Sequence, residues 1–207
     1  MICLLCGSPF QSNPTWRKLI LYEIEASACK RCLSKFEKAD TKFDLADFKG
    51  TRYEGAIDSV TSLYSYNEVM QSYLHQYKFL QDVALAQVFA EELRHLFEKK
   101  EGIVVPIPMY PEKLLLRTFA QVDELLNSAA VPFQHLLAKT AASEQGKKSK
   151  KERLEASPLF EVTGKITAQT FILFDDIYTT GTTMHHAAKV LKNFGATRIE
   201  AITLIKG

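Results

Sequence analysis

Along this chain the spacing of apolar residues alternates between a helical and an extended period. Residues 69–80 and 83–97 place apolar side chains at helical intervals, the second stretch through Val83, Leu85, Ala86, Val88, Phe89, Leu93, Leu96 and Phe97, which predicts two amphipathic helices. Ahead of them, 56–66 is rich in Val, Thr and Tyr and reads as short extended stretches. Gly102 stops the second helix, and Ile103-Val104-Val105-Pro106-Ile107-Pro108 predicts a buried strand ended by prolines. A helix over about 111–127 follows, then an apolar segment at 131–138 and a short strand at 157–162. The last third predicts a strand at 171–175, a helix at 182–194 capped by Gly195, and a closing strand at 199–205. Strand and helix alternate. That order predicts a parallel α/β sheet with helices on its faces and a ligand site at the carboxyl ends of the strands.

Residues 171–183 read Phe-Ile-Leu-Phe-Asp-Asp-Ile-Tyr-Thr-Thr-Gly-Thr-Thr: an apolar strand that ends in two carboxylates and runs into a small-residue loop before a helix. A phosphate monoester needs converging N–H donors with no side chains in the way. Thr179, Thr180, Gly181, Thr182 and Thr183 offer backbone amides, hydroxyls and the positive end of a helix dipole. Asp175 and Asp176 suit the two vicinal hydroxyls of a ribose, or the ordering of a Mg²⁺ ion. An ordinary strand-loop-helix junction with a threonine cap is the alternative, and the composition of the whole string argues against it. No Gly-x-x-x-x-Gly-Lys-Ser/Thr occurs, so nucleotide binding of the P-loop kind is not expected.

At the other end, Cys3-x-x-Cys6 and Cys29-x-x-Cys32 hold all four cysteines of the chain. Two such knuckles are the pattern of a Cys₄ zinc site, each giving two thiolates to a tetrahedron. Four sulfurs leave no open coordination position, so the metal is expected to be structural. Disulfides or unligated thiols are the competing assignment. Against them, the amino terminus has no basic start, apolar core and cleavage site, so a cytoplasmic chain with reduced thiols is expected.

Composition adds bounds. At 207 residues, 46% hydrophobic and 24% charged, the chain has the make-up of a soluble protein with one good core and a small appendage, and no apolar run approaches a transmembrane segment. A net charge of +2 permits nucleic-acid contact without arguing for it. The charge is uneven, however: 139–153 is strongly basic, with Lys147, Lys148, Lys150, Lys151 and Arg153, and reads as a mobile loop or fraying helix start. The domain organisation expected is a Cys₄ module over 1–49, in which Trp16, Leu19, Ile20, Leu21 and Ile24 pack on the metal site, and an α/β domain over 50–207.

The run Asp175 to Thr183 resembles the phosphoribosyl-pyrophosphate (PRPP) loop of type I phosphoribosyltransferases. Taken in order, Val104-Val105-Pro106-Ile107-Pro108, Arg117-Thr118-Phe119-Ala120-Gln121, Gln145-x-x-Lys148-x-x-Lys151-Glu152-Arg153 and that run resemble the landmarks of the ComF family over essentially the full length, cysteine module included. Members are late competence proteins of naturally transformable bacteria. One departure is visible: where the family usually shows Arg-Gly-Phe-Asn-Gln, this chain has Thr118 and Ala120.

The resemblance implies a type I phosphoribosyltransferase-like parallel sheet flanked by helices, preceded by a small zinc-ribbon-like module. It implies PRPP with Mg²⁺ at Asp175, Asp176 and Thr179–Thr183, pyrophosphate near Met109, Arg117 reaching the diphosphate, and the basic segment closing over the ligand. Arg117 as a surface arginine and the segment as a solvated charge run are the plainer alternatives. Purine-salvage relatives usually carry an aspartate at the position of Thr179 to handle a proton on the base, which threonine cannot do near neutral pH, so binding of PRPP is better supported than a particular transfer. His75, His95, His135, His185 and His186 read as surface or core residues, His185 being nearest the loop; Tyr178, within it, is expected to meet any ligand.

Two functions follow. The first is an accessory factor for natural transformation that handles incoming single-stranded DNA beside a helicase-like translocase. The second is a metabolic phosphoribosyltransferase with a zinc appendage, its acceptor not legible.

Overall fold

The computed structural model describes residues 1–11, 26–40, 48–140, 159–166 and 169–207. Trp16, Leu19, Ile20, Leu21 and Ile24, and the basic residues Lys147, Lys148, Lys150, Lys151 and Arg153, lie outside the described residues. The described elements in chain order are α1 (Lys30–Leu33), β1 (Ser59–Ser65), α2 (Glu68–Lys78), a 3₁₀ segment (Val83–Phe89), α3 (Ala90–Phe97), β2 (Ile103–Pro106), α4 (Pro111–Arg117), α5 (Gln121–Ser128), β3 (Leu137–Lys139), β4 (Phe160–Val162), β5 (Thr170–Tyr178), α6 (Thr182–Asn193) and β6 (Arg198–Lys206). They form two compact units: Met1–Glu37 with Tyr66–Lys100 and Arg117–Pro132, and Lys38–Ser65 with Glu101–Leu116 and Phe133–Gly207.

In the first unit, Asn67 starts α2 by accepting the Met70 amide at 2.9 Å, so an otherwise orphaned N–H is satisfied. The helix buries Met70, Tyr73, Leu74 and Tyr77. Phe36 packs edge-on against Tyr73 and Phe89, with ring centroids 6.1 and 5.0 Å away, the arrangement favoured by the ring quadrupoles.

The 83–97 periodicity is not one α-helix. Its first half winds as a 3₁₀ segment, whose tighter turn brings Leu85, Ala86, Val88 and Phe89 all inward. The helix expected over 111–127 is likewise broken. Thr118 sits at φ 62, in the left-handed region that interrupts α-helical hydrogen bonding, and α5 begins anew after Ala120 with no side-chain cap.

The second unit carries a four-stranded, all-parallel sheet in the order β1-β6-β5-β2. Phe171 and Leu173 of β5, Ile199 and Ala201 of β6 and Val105 of β2 share one apolar cluster with Met184, Ala187, Ala188 and Leu191 of α6. The antiparallel pair β3–β4 closes the same cluster through Leu137 and Phe160. A parallel sheet flanked by helices is therefore the architecture, as the alternation of elements predicts.

β5 differs from expectation at its carboxyl end. It runs past the two aspartates to Tyr178, because Ile177 and Tyr178 are good strand formers and β6 continues to Lys206 to pair with them. The carboxylates thus belong to the second half of a paired strand.

Candidate functional site

At the sheet end the backbone fixes the carboxylates before any side chain chooses a partner. Asp175 pairs in register with Thr203 of β6, and strand alternation sends it and Asp176 to opposite faces. Asp176 is buried, Asp175 half-buried. The Asp176 amide donates to Asp175 Oδ1 at 2.8 Å, which restrains the Asp175 side chain.

After Tyr178 come Thr179, exposed, and Thr180, whose hydroxyl shares a hydrogen bond of 3.0 Å with that of Thr182. Gly181 is the N-cap of α6 at φ 71 and ψ −5. A β-carbon there would stand 2.1 Å from Tyr178 Oη and 2.4 Å from Cζ, so the Tyr178 ring fills the space that only glycine leaves open. Tyr178 is buried against the loop, contrary to its expected exposure. The 12-residue α6 has no acidic residue in its first turn, so the partial positive charge of its amino end is not cancelled from within the helix. The structure brings Asp175, Asp176, Thr179, Thr180, Gly181, Thr182 and Thr183 together at one strand-to-helix turn.

His185 supports that turn from beneath. Its Nδ1 donates to the Gly181 carbonyl at 3.0 Å, and its ring stacks on Phe48 with centroids 3.4 Å apart. His186 stacks on Tyr53 and shares a 2.6 Å hydrogen bond with its hydroxyl. Both histidines are buried and structural in setting. No periodicity pointed to Phe48 or Tyr53, whose partners lie more than a hundred residues away.

Sequence reasoning also missed Lys139. Its Nζ lies 4.4 Å from the centroid of the Tyr110 ring and 5.8 Å from that of Phe160. Burial lowers its pKa below the ordinary lysine value and Lys113 adds to this, while Asp175 and Asp176 pull the other way by holding the ammonium charged. Burial likewise raises the Tyr110 hydroxyl, with Glu112 contributing. Arg117 belongs to the first unit, where it donates to Gln121 Oε1 and lies over the Phe79 ring at 5.6 Å.

The cysteine cluster is compact. One sulfur from each of Cys3, Cys6, Cys29 and Cys32 lies within 4.8 Å of every other, close to the edges of about 3.8 Å that a tetrahedron with ~2.3 Å Zn–S bonds requires. Gly7, at φ 66, donates to the Cys3 carbonyl at 2.8 Å and turns the first knuckle. The Cys29 amide donates to Cys3 Sγ at 3.2 Å, which favours a thiolate. Cys6 is lowered to about 6, chiefly by the Ser8 amide and hydroxyl, and Cys32 is pushed up to about 12 by burial and the neighbouring sulfurs. The sulfurs of Cys6, Cys29 and Cys32 raise the pKa of the Arg31 guanidinium, Cys6 contributing most. Four soft ligands in tetrahedral range, with a cation beside them, fit a structural zinc ion.

The phosphoribosyl transferase domain model matches residues 72–207, which include three of the four strands of the parallel sheet, the turn after β5 and most of the helices. Along its whole length the chain is 31% identical to competence protein ComFC of Bacillus subtilis (strain 168), covering 95% of that protein. It is also 31% identical to competence protein ComFC of Streptococcus pneumoniae (strain ATCC BAA-255 / R6), covering 100% of both. The chain belongs to the ComFC family, built on a phosphoribosyl transferase domain. A hypoxanthine phosphoribosyltransferase from Staphylococcus aureus superposes with a TM-score of 0.34 at 15% identity, over 68% of this chain and 72% of that one. Membership in the ComFC family agrees with the cysteine cluster and the order of motifs. Among the described residues no helix is long and apolar enough to cross a membrane.

Proposed function

We propose that this protein is a cytoplasmic competence factor whose phosphoribosyltransferase-type domain, residues 50–207, binds PRPP with Mg²⁺, and whose residues 1–49 form a structural zinc module. The observation that carries the ligand is the turn at the end of β5: two carboxylates, then a glycine at positive φ opening a helix. The 5′-phosphate would lie on the amides and hydroxyls of Thr179–Thr183, the ribose hydroxyls on Asp175 and Asp176, and the diphosphate toward Met109 and Arg117. Bound Mg²⁺ would neutralise charge on the diphosphate and ease its departure from the ribose. The residues named here bind and orient, and the threonine at position 179 cannot serve as a base for an acceptor near neutral pH.

Single-stranded DNA would be gripped through its phosphates by Lys147, Lys148, Lys150, Lys151 and Arg153, with Lys30 and Arg31 of the cysteine module adding charge. A helicase-like translocase is the partner that such handling calls for. The alternative, a metabolic phosphoribosyltransferase, has no need of a Cys₄ knuckle pair.

Calorimetry with PRPP and Mg²⁺ tests the reading. Asp175→Ala and Asp176→Ala each remove charge-assisted hydrogen bonds worth about 1.5–3 kcal/mol, so affinity is expected to fall by about tenfold to a hundredfold. Folded wild-type protein that binds no PRPP would refute it. Pyrophosphate release with any member of a nucleobase panel would instead favour the metabolic alternative. For DNA, Lys148→Ala/Lys151→Ala should flatten the slope of log affinity against log salt by roughly 1.4; an unchanged slope assigns DNA binding elsewhere.

A further inference from the structure

Glycine has no β-carbon to restrict φ and the most backbone freedom to lose on ordering, so a turn that pivots on Gly181 needs something to hold that residue at φ 71. Along the turn, Thr179 is exposed and Thr180 and Thr183 are half-buried, while Gly181 and Thr182 between them are buried. The flanking threonines reach solvent, and the pivot is gripped from within. Two donors of one residue converge on the Gly181 carbonyl: the His185 backbone amide at 3.0 Å and the His185 ring Nδ1, also at 3.0 Å. The first is the bond that opens α6 in the ordinary way. The second is not supplied by helix formation. A carbonyl oxygen can only accept, so the ring must carry a proton on Nδ1. The ring is fixed in turn by Phe48, which lies flat on it with centroids 3.4 Å apart and planes 10° from parallel, and both rings are buried. His186, the next residue, has a similar aromatic partner in Tyr53 and shares its 2.6 Å hydrogen bond with the tyrosine hydroxyl. The two histidines therefore have the same kind of setting and different hydrogen-bond partners, which makes one a control for the other.

We propose that His185 is a positioning residue of the phosphate turn: its Nδ1 proton, aimed by the stacked Phe48, clamps Gly181 in the left-handed conformation in which the turn receives a phosphate monoester. The proposal rests on the pentose-phosphate reading above and adds the group that orders the turn before the ligand arrives. A ligand that had to order a loose Gly181 itself would bind more weakly by the cost of that ordering. His185 acts through the backbone it holds and not by contact with the ligand.

The test is calorimetry with ribose 5-phosphate, and with PRPP and Mg²⁺, on wild type, His185→Phe, His185→Asn and the control His186→Phe, with thermal unfolding recorded for each. Phenylalanine keeps a flat ring against Phe48 and loses the donor; asparagine puts an amide nitrogen where Nδ1 stands and loses the stack. His185→Phe is expected to weaken ribose 5-phosphate by about fivefold, the scale of one hydrogen bond. His185→Asn is expected to stay within about twofold of wild type although it unfolds at the lower temperature of the two. His186→Phe should lose stability and keep its affinity. A histidine that merely filled the core would give affinities that follow unfolding temperature. Long-range proton–nitrogen correlation spectra of the wild type, which need no variant to fold, are expected to show the His185 ring protonated on Nδ1. Unchanged affinity in His185→Phe, affinities that rank with unfolding temperature across the three variants, or a ring proton confined to Nε2 would each overturn the proposal, as would wild type that binds neither ligand. Wild type that binds ribose 5-phosphate but not PRPP would sink the PRPP reading, and the ribose 5-phosphate comparison would still decide the role of His185.

Discussion

The cysteine cluster and the turn at the end of β5 are both built to hold charge, and they are stabilised in opposite ways. Among the described residues around the cysteines, the regular structure is a four-residue helix and one isolated bridge between Ile2 and Pro9. The described residues there bury little besides Cys3, Ala28, Cys32 and Phe36. Four sulfurs within 4.8 Å of one another offer a metal ion a ready set of ligands, and an ion bound there would add its binding free energy to folding. The β5 turn is the reverse. Its strand is hydrogen-bonded to β2 on one side and β6 on the other, and α6 is anchored in the apolar cluster, so the turn is in place before any ligand arrives. On the proposed reading, one site is completed by its metal ion and the other stands ready before its ligand.

The sharpest way to break this contrast is to remove a sulfur. Cys29→Ser is expected to lower zinc from about one per chain to near none and to leave the amides of 1–11 and 26–36 unprotected from hydrogen exchange, while those of β5 and β6 stay protected. Loss of protection throughout the sheet would show that the two regions are not independent in stability.

Gly181→Ala tests the other side of the comparison. The left-handed φ costs an alanine about 1–2 kcal/mol, and its β-carbon must displace the Tyr178 hydroxyl. Thermal unfolding should register the loss, and PRPP affinity should fall with it. Tyr178→Ala in the same background should recover the part due to the clash and leave the part due to φ. No recovery would mean that the ring can move aside without cost.

The smallest effect concerns the break between α4 and α5, where this chain departs from the usual Arg-Gly-Phe-Asn-Gln of its family. Thr118 occupies the positive φ that glycine would take without strain, and Ala120 is the uncapped N-cap that an asparagine would satisfy. Thr118→Gly and Ala120→Asn are each expected to stabilise the protein by about 1 kcal/mol, additively and without changing ligand affinity. A change in PRPP affinity in Ala120→Asn would instead give that position a role at the ligand.

Both candidate regions stood out in the sequence because each is a local string. Two Cys-x-x-Cys knuckles carry their ligand geometry in their spacing, and residues 171–183 carry strand, carboxylates, glycine and helix start within thirteen positions. The parallel sheet was legible too, since alternating strand and helix patterns leave few other ways to bury the apolar faces. The end of β5 was not, because Ile177 and Tyr178 extend only when β6 supplies partners as far as Lys206. Nor was the break at Thr118, where a helical pattern conceals a residue that packing holds at positive φ. Lys139 lay at the edge of a basic run that looked like solvated charge; its ammonium came to be bordered by the rings of Tyr110 and Phe160 only when β3 paired with β4. His185 and His186 were likewise plain helical residues until Phe48 and Tyr53 stacked on them. The sequence by itself determined which candidate chemistries this protein offers, because those depend on near neighbours in the chain. The tertiary structure decided which charge faces which, because burial and Coulomb energy depend on distance in space and not on separation along the backbone.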